Sequence, residues 1–140
     1  MSGKFDHLFV YGTLMSTARA AYGRVERVRL ARECANLGAA TVPGRLFDLG
    51  RYPGCIDDAP SGRLVHGEVV RLLEPEESLR WLDAYEGLQP DGGAGDEYVR
   101  ERCVATLADG LRRDVWIYLY RGATTGLREI TGGRWLESIS

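Results

Sequence analysis

"HLFVYGTLM", residues 7–15, is a compact run of apolar, aromatic and β-branched side chains that a single glycine interrupts. A run of this kind, bounded by a turn signal, is typical of a buried strand. It predicts a strand that begins at His7 and ends near Tyr11, where Gly12 breaks the pattern. The segments that follow this strand decide which kind of sheet it joins.

Two helices are predicted after this strand. Ser16 and Thr17 can cap the first, which covers residues 18–35 and is rich in Ala, Arg and Glu, although Gly23 weakens its middle. The second covers residues 75–87. It starts with a proline, which is favoured in the first turn, and two glutamates beside it complement the helix dipole.

The remaining segments are typical of strands separated by turns. From Asn36 onward, apolar stretches alternate with Pro-Gly, Tyr-Pro-Gly and Pro-Ser-Gly turns, and the best strand candidate covers residues 64–73. Residues 97–108 and 112–121 are two further strands, and the Asp-Gly pair between them is a strong hairpin signal.

The order of these elements predicts an α+β fold. A strand, a helix, several strands, a second helix and two strands favour a mixed, mostly antiparallel sheet with flanking helices over a doubly wound parallel sheet. Closing that sheet into a small barrel would remove its exposed edges. Because 140 residues suit one domain, we expect a single domain over residues 1–140.

Composition argues against several classes of function. The net charge of -2 shows no basic surplus for a nucleic-acid partner. No run approaches the roughly 18 apolar residues of a membrane span, and we expect neither a signal peptide nor a membrane partner. Three separated cysteines favour the cytoplasm over a disulfide framework. Since the cysteines and histidines lack metal-ligand spacing, we expect no metal. We also expect a monomer or weak dimer.

Glu86 is the first candidate for a catalytic residue. At about 100° per residue, a helix places Glu86 in the same sector as Leu79 and Leu82, which face the core. Burial raises the pKa of a carboxyl group, and a raised pKa suits a general base near pH 7. The alternative is an ordinary carboxylate in the last turn before Gly87, which reaches water or pairs with an arginine.

The segment Tyr11–Leu14 is the second candidate. Gly12 has no Cβ, so the chain can turn sharply there and a ligand can approach the backbone closely. The following N–H groups and the Thr13 hydroxyl can form a concave donor set for a carboxylate or carbonyl oxygen. The alternative is a plain transition from strand to loop.

Other residues carry competing interpretations. Tyr98 and Tyr118 lie on the late predicted strands. Their phenol groups could line a ligand cavity, and the alternative is that they are ordinary core residues. Cys55 has no histidine placed to activate it as a nucleophile. Gly-rich residues 92–97, "GGAGDE", lack the pattern of a phosphate loop and favour a mobile loop or lid. The charged stretch 24–33, "RVERVRLARE", is typical of a solvated helix face.

Taken together, six segments resemble the γ-glutamylcyclotransferase-like family, which includes the γ-glutamylamine cyclotransferases and AIG2-like proteins. These segments are "FVYGTL", "YPG", "GEV", "LDAYEG", "YVRERCVAT" and "ITGGRW", and they span nearly the whole chain. The resemblance implies a small mixed β-barrel with flanking helices. It also implies that Tyr11, Gly12, Thr13 and Leu14 hold a glutamyl group, and that Glu86 is the catalytic acid/base.

The resemblance implies a cofactor-independent acyl transfer on a small γ-glutamyl substrate. The α-amino group of a γ-glutamyl amide attacks its own γ-carbonyl, which releases 5-oxoproline and an amine or amino acid. The Tyr52-Pro53-Gly54 turn would lie near the pocket mouth, although it also suits an ordinary turn. The competing hypothesis is a non-catalytic small-molecule binding protein on the same barrel. Glu86 favours the enzyme, and loop residues 88–97 are expected to contribute to the leaving-group walls.

Overall fold

The computed structural model describes residues 5–89 and 96–135, and the prediction of a mobile loop or lid falls largely outside them. In these residues, no helix is long and apolar enough to cross a membrane. The elements in chain order are β1 (His7–Val10), α1 (Arg24–Glu33), β2 (Cys34–Pro43), β3 (Arg45–Asp48), β4 (Pro53–Ile56), β5 (Leu64–Leu72), α2 (Pro75–Tyr85), β6 (Tyr98–Leu107), β7 (Arg112–Tyr120) and β8 (Arg128–Glu129).

Five strands form a closed barrel in the order β1-β5-β2-β6-β7. The barrel closes because β1 pairs in parallel with β7, with Leu8 opposite Trp116, while the other neighbours are antiparallel. A separate antiparallel sheet has the order β4-β3-β8, and β4 contacts β7. The predicted α+β fold with a small, mostly antiparallel barrel is confirmed.

Strand β1 is buried on both faces, as its continuous apolar run predicts. Because successive side chains alternate across a strand, Phe9 packs inside the barrel while Leu8 and Val10 face the helices. The interior cluster draws on all five barrel strands. The second cluster contains Leu30 of α1 and Leu82 of α2, so both helices are packed against β1 and its neighbours.

The predicted boundaries of the first helix are wrong at both ends. Helix α1 begins only at Arg24, because Gly23 adopts φ 79°, a left-handed conformation that interrupts a helix. It ends at Glu33, and Cys34 is already extended in β2. Ser16 caps no helix here. Its N–H and hydroxyl donate instead to the two carboxylate oxygens of Glu68 on β5, at 2.8 and 2.6 Å.

The second helix and the late hairpin are confirmed. Helix α2 begins at Pro75 and ends at Tyr85, followed by Glu86 and by Gly87 with a positive φ. Strands β6 and β7 pair from Tyr98 opposite Tyr120 to Thr106 opposite Arg112. In the turn between them, the Asp109 carboxylate accepts the N–H of Leu111 at 2.9 Å.

Candidate active site

The end of α2 meets the loop that follows β1, and a cavity of about 90 Å³ lies between them. The cavity is lined by nearly all of the residues that the sequence singled out, together with two that it did not. Its lining is formed by Phe9, Val10, Tyr11, Gly12, Thr13, Leu14, Tyr22, Tyr52, Pro53, Tyr85, Glu86, Glu97, Tyr98 and Tyr118.

The Glu86 side chain is largely buried and keeps only a small part of its surface open to the cavity. Within residues 5–89 and 96–135, its carboxylate has no hydrogen bond and no ion pair, so the predicted alternative of an arginine partner is not observed. Burial raises the pKa of Glu86 to about 8, and the negative charges of Glu97 and Asp83 act in the same direction. Such a group can exchange a proton near neutral pH.

The loop after β1 supplies hydrogen-bond donors beside Glu86. Gly12, Thr13 and Leu14 all line the cavity, and in the described part of the chain their main-chain N–H groups donate to no protein acceptor. The Gly12 carbonyl, by contrast, accepts the N–H of Met15 at 3.1 Å, which fixes the turn. Successive unpaired N–H groups in a turn form an anion-binding concavity.

Gly12 is fixed by its contact with the Tyr-Pro-Gly turn. A Cβ at Gly12 would lie 2.8 Å from Cδ and 2.9 Å from Cγ of Pro53, closer than carbon atoms approach one another. The Tyr98 phenol stabilises this turn, because it donates a hydrogen bond to the Pro53 carbonyl at 2.8 Å. The two turns that the sequence places far apart are therefore packed directly together.

The phenol groups of three predicted binding residues are engaged by the protein. The Tyr11 hydroxyl donates to the Tyr118 carbonyl and accepts the N–H of Cys55 at 3.3 Å. The Tyr118 hydroxyl donates to Asp83 Oδ1 at 2.7 Å, and the Asp83 carboxylate is also ion-paired with Arg100. These two tyrosines and Tyr98 line the cavity with their rings, while their hydroxyl groups form hydrogen bonds within the protein.

Of the two residues of the Tyr-Pro-Gly turn that were predicted to bind substrate, Tyr52 lines the cavity and Gly54 does not. Tyr52 lines the cavity, and its hydroxyl donates to Glu97 Oε1 at 2.9 Å. Gly54 is absent from the lining among the described residues, since it packs under Tyr120 and Leu49, where a Cβ would lie about 3 Å from both side chains. Gly54 therefore acts on the shape of the turn.

Two lining residues were not singled out from the sequence: Tyr22 and Tyr85. The Tyr85 hydroxyl lies 3.3 Å from Thr13 Oγ1, and its position next to the Glu86 face of α2 was the available signal. Tyr22 falls in the segment predicted as helix. Tyr22 therefore carried no local signal, whereas Glu97 belongs to residues 88–97, the segment expected to contribute to the leaving-group walls.

Arg27 corrects the interpretation of α1 as a merely solvated face. Its guanidinium donates to the Thr13 carbonyl at 2.8 Å and to the Ala20 carbonyl at 2.9 Å, so it holds the loop that carries the N–H donors. Elsewhere on α1, Glu33 accepts hydrogen bonds from Ser78 and Trp81 of α2 at 2.6 and 2.8 Å. The charged residues of α1 thus fix both the loop and the second helix.

Cys55 is not equipped as a nucleophile. It is fully buried, and burial raises the pKa of its thiol to about 12, so the reactive thiolate is scarce at neutral pH. Across residues 5–89 and 96–135, no three His, Cys, Asp or Glu side chains are grouped as a metal site requires. Glu86 is thus the largely buried carboxyl group that the cavity presents for chemistry.

The fold and the cavity define a small closed β-barrel protein with a carboxylate-bearing cleft at the end of its first strand. The sequence model of the family described as "Gamma-glutamyl cyclotransferase, AIG2-like" matches residues 8–137. The chain therefore belongs to this family, and the resemblance seen in its motifs is confirmed.

Solved structures share the fold. YkqA from Bacillus subtilis is 22% identical, with a TM-score of 0.66. The match covers 94% of this chain and 40% of YkqA, so this chain spans less than half the length of YkqA. An AIG2-like protein from Mus musculus is 21% identical (TM-score 0.64; 81% of this chain, 76% of its own). Protein ytfP from Escherichia coli is 29% identical (TM-score 0.62; 94% and 96%). No curated protein matches the chain.

Proposed function

We propose that this protein is a cofactor-independent γ-glutamyl cyclotransferase that releases 5-oxoproline and an amine or amino acid from a γ-glutamyl amide. One observation carries the proposal: a largely buried carboxylate, Glu86, shares a small cavity with the N–H groups of residues 12–14, and none of these groups has a partner among the residues that the structure describes. The free, unpaired state of all three cysteines fits a reaction that takes place in the cytoplasm.

The size of the cavity supports a small substrate head group. Its volume of about 90 Å³ is well below the roughly 300–1,000 Å³ of pockets that enclose drug-sized ligands. A folded glutamyl end suits this space, and the leaving amine then extends toward the mouth. The aromatic rings of Tyr11, Tyr98 and Tyr118 restrict the conformers that the flexible glutamyl chain can adopt, which favours ring closure.

The reaction moves two protons from the α-nitrogen of the substrate to the leaving nitrogen. The α-ammonium of the substrate gives one proton to Glu86, and the resulting amine attacks the γ-carbonyl carbon to form the ring C–N bond. The N–H groups of residues 12–14 stabilise the negative charge that develops on the carbonyl oxygen. Glu86 passes its proton to the amide nitrogen, whose bond to carbon breaks. The ring nitrogen then gives its extra proton to the departing amine, so the products are 5-oxoproline and an ammonium ion.

The proposed role of Glu86 predicts an acid limb in the pH profile. Only the ionised carboxylate accepts a proton, and because its pKa is about 8, the reactive fraction in the free protein increases with pH up to about that value. We expect kcat/KM to increase about tenfold per pH unit below this range and to level off above it. Initial rates of 5-oxoproline release at constant ionic strength measure the profile.

A neighbouring charge provides the control for this assignment. Glu97 raises the pKa of Glu86, so Glu97→Gln removes a negative charge and shifts the acid limb to lower pH. A limb centred near the ordinary carboxyl value of 4.5, or one that Glu97→Gln shifts upward, would contradict the assignment of this titration to Glu86.

The activity itself is tested with a panel of γ-glutamyl compounds. Purified protein is incubated with γ-glutamyl amino acids, γ-glutamyl alkylamines and γ-glutamyl diamines, and 5-oxoproline is measured by mass spectrometry. We expect release from at least one class of compound at a rate proportional to the protein concentration. Saturable binding without 5-oxoproline from any of them would favour the non-catalytic binding protein instead.

A further inference from the structure

The solvent edge of the cavity carries a stack of aromatic rings that the proposed chemistry does not use. The rings of Tyr22 and Tyr52 are stacked with centroids 5.6 Å apart and an angle of 22° between their planes. Tyr52 also contacts Tyr98, and Tyr22 contacts Tyr85, with centroids at 6.2 and 6.5 Å. Tyr22 remains 38% exposed, so part of its ring is available to a ligand at the mouth.

The charges around this stack are mainly negative. The Glu97 and Glu26 carboxylates and the Arg51 guanidinium act on the Tyr22 phenol, and Glu86 adds a further negative charge when it is ionised. Glu97 is exposed at the edge of the cavity and has no ion pair in the described part of the chain. Its Oε1 accepts the Tyr52 hydroxyl, and its second oxygen has no partner among the described residues.

Aromatic faces beside a carboxylate are the groups that recognise an organic cation. A ring face attracts a positive charge through its quadrupole, and an ionised carboxylate adds a direct charge contact. This stack is continuous with the cavity that contains the largely buried Glu86. The cavity is lined by Glu86 together with Tyr22, Tyr52 and Glu97. A substrate whose glutamyl end fills the cavity therefore extends its other end past these rings.

We propose that Tyr22, Tyr52 and Glu97 form a leaving-group subsite that selects γ-glutamyl amides whose amine carries an additional positive charge. A mono-γ-glutamyl diamine is the simplest such substrate. Its distal ammonium stays at the subsite while the other nitrogen leaves, so the bonds made and broken are those of the reaction above. An amino-acid leaving group would instead bring its carboxylate beside that of Glu97. This inference rests on the proposed cyclotransferase activity.

The test compares three γ-glutamyl amides that differ only at the distal end of the leaving group. They are the mono-γ-glutamyl derivatives of a linear diamine, of an alkylamine of equal chain length and of the corresponding ω-amino acid. We expect kcat/KM to favour the cationic compound over the anionic one by about tenfold, with the neutral compound between them. Equal values, or a preference for the anion, would overturn the subsite.

Two variants test whether Glu97 causes the preference for the cationic compound. Glu97→Gln should reduce the ratio of kcat/KM for cationic over neutral compound to about one third of its wild-type value, because it removes the charge contact. The ratio cancels any effect on the chemical step that the two substrates share. Glu101→Gln removes an equal charge from an exposed position on β6 and should leave the ratio unchanged. A ratio that Glu97→Gln leaves intact would overturn the role of Glu97.

Failure of this inference can be distinguished from failure of the proposed function. Release of 5-oxoproline from all three compounds at equal kcat/KM overturns the subsite and leaves the activity standing. If no compound is turned over, the activity is wrong, and calorimetric titration of the intact compounds into the wild-type protein still measures cation preference. Equal dissociation constants in that titration overturn the subsite as well.

Discussion

Replacing Glu86 by glutamine is expected to reduce kcat for 5-oxoproline release by about 10²- to 10⁴-fold, the usual contribution of a general acid/base. Glutamine retains the size and polarity of glutamate but cannot accept or return the proton. Because the wild-type carboxylate makes no hydrogen bond or ion pair with the described residues, the substitution removes no contact that holds the fold. Steady-state rates with the best substrate of the panel measure the effect.

The same substitution should increase stability at alkaline pH, which separates loss of chemistry from loss of structure. The pKa of Glu86 is raised from 4.5 to about 8 in the folded protein, so ionisation favours the unfolded chain. Wild-type stability therefore falls as pH rises from 4.5 to 8, whereas the glutamine of Glu86→Gln stays uncharged over this range. Since one pKa unit equals about 1.4 kcal/mol, we expect the variant to be more stable by about 2 kcal/mol or more at pH 9.

A matched control uses the same helix. Glu77→Gln changes an exposed glutamate in the first turn of α2, so it should alter neither kcat nor the pH dependence of urea unfolding by more than a small amount. If Glu86→Gln keeps wild-type activity, the acid/base assignment is wrong. If it gains no stability above pH 8, its carboxylate is better solvated than its position in the cavity indicates.

The part of the site that the sequence predicts is the part encoded in short segments. Glu86 is recognisable because a carboxylate shares a helix sector with Leu79 and Leu82, and that local geometry persists in α2. The loop at Gly12 is recognisable because an apolar strand ends there. In both cases the signal spans fewer than about ten residues, where chain geometry alone determines which side chains are neighbours.

The contacts that the sequence did not reveal are tertiary ones. Tyr22 and Glu97 meet at Tyr52, which lies far from both along the chain, and nothing in their local sequence indicates that meeting. The closure of the barrel is equally non-local, because the parallel pairing of Leu8 with Trp116 joins the first strand to the last of the barrel. Such pairings depend on how whole elements pack.

The error in the first helix has a specific physical cause. Summed helix propensity over residues 18–35 favours one long helix, since Ala, Arg and Glu predominate. Gly23 takes a left-handed conformation instead, and Arg27 binds the carbonyls of Thr13 and Ala20. In a continuous helix over residues 18–35 the Ala20 carbonyl would accept a helical hydrogen bond instead. The tertiary contacts of the loop thus override propensity, and the loop that they fix carries the proposed oxyanion donors.

Replacing Gly12 by alanine is expected to reduce kcat/KM by about 10- to 100-fold, because small displacements of positioning groups have effects of this size. The new Cβ would lie 2.8 Å from Cδ of Pro53, and a proline ring cannot rotate away as a long side chain can. Either the donor loop or the Tyr-Pro-Gly turn must therefore move. We also expect a loss of about 1–3 kcal/mol in the free energy of unfolding, measured with urea.

Two further variants show whether this contact is the cause. Gly132→Ala adds a methyl group where no heavy atom lies within 4 Å and the backbone φ is not positive, so it should leave activity and stability near wild type. Pro53→Ala removes the two ring carbons that the new Cβ meets, so the double variant Gly12→Ala/Pro53→Ala should recover part of the activity lost in Gly12→Ala. A purely additive double variant would show that the glycine is required for another reason, because additivity means that the two sites do not interact.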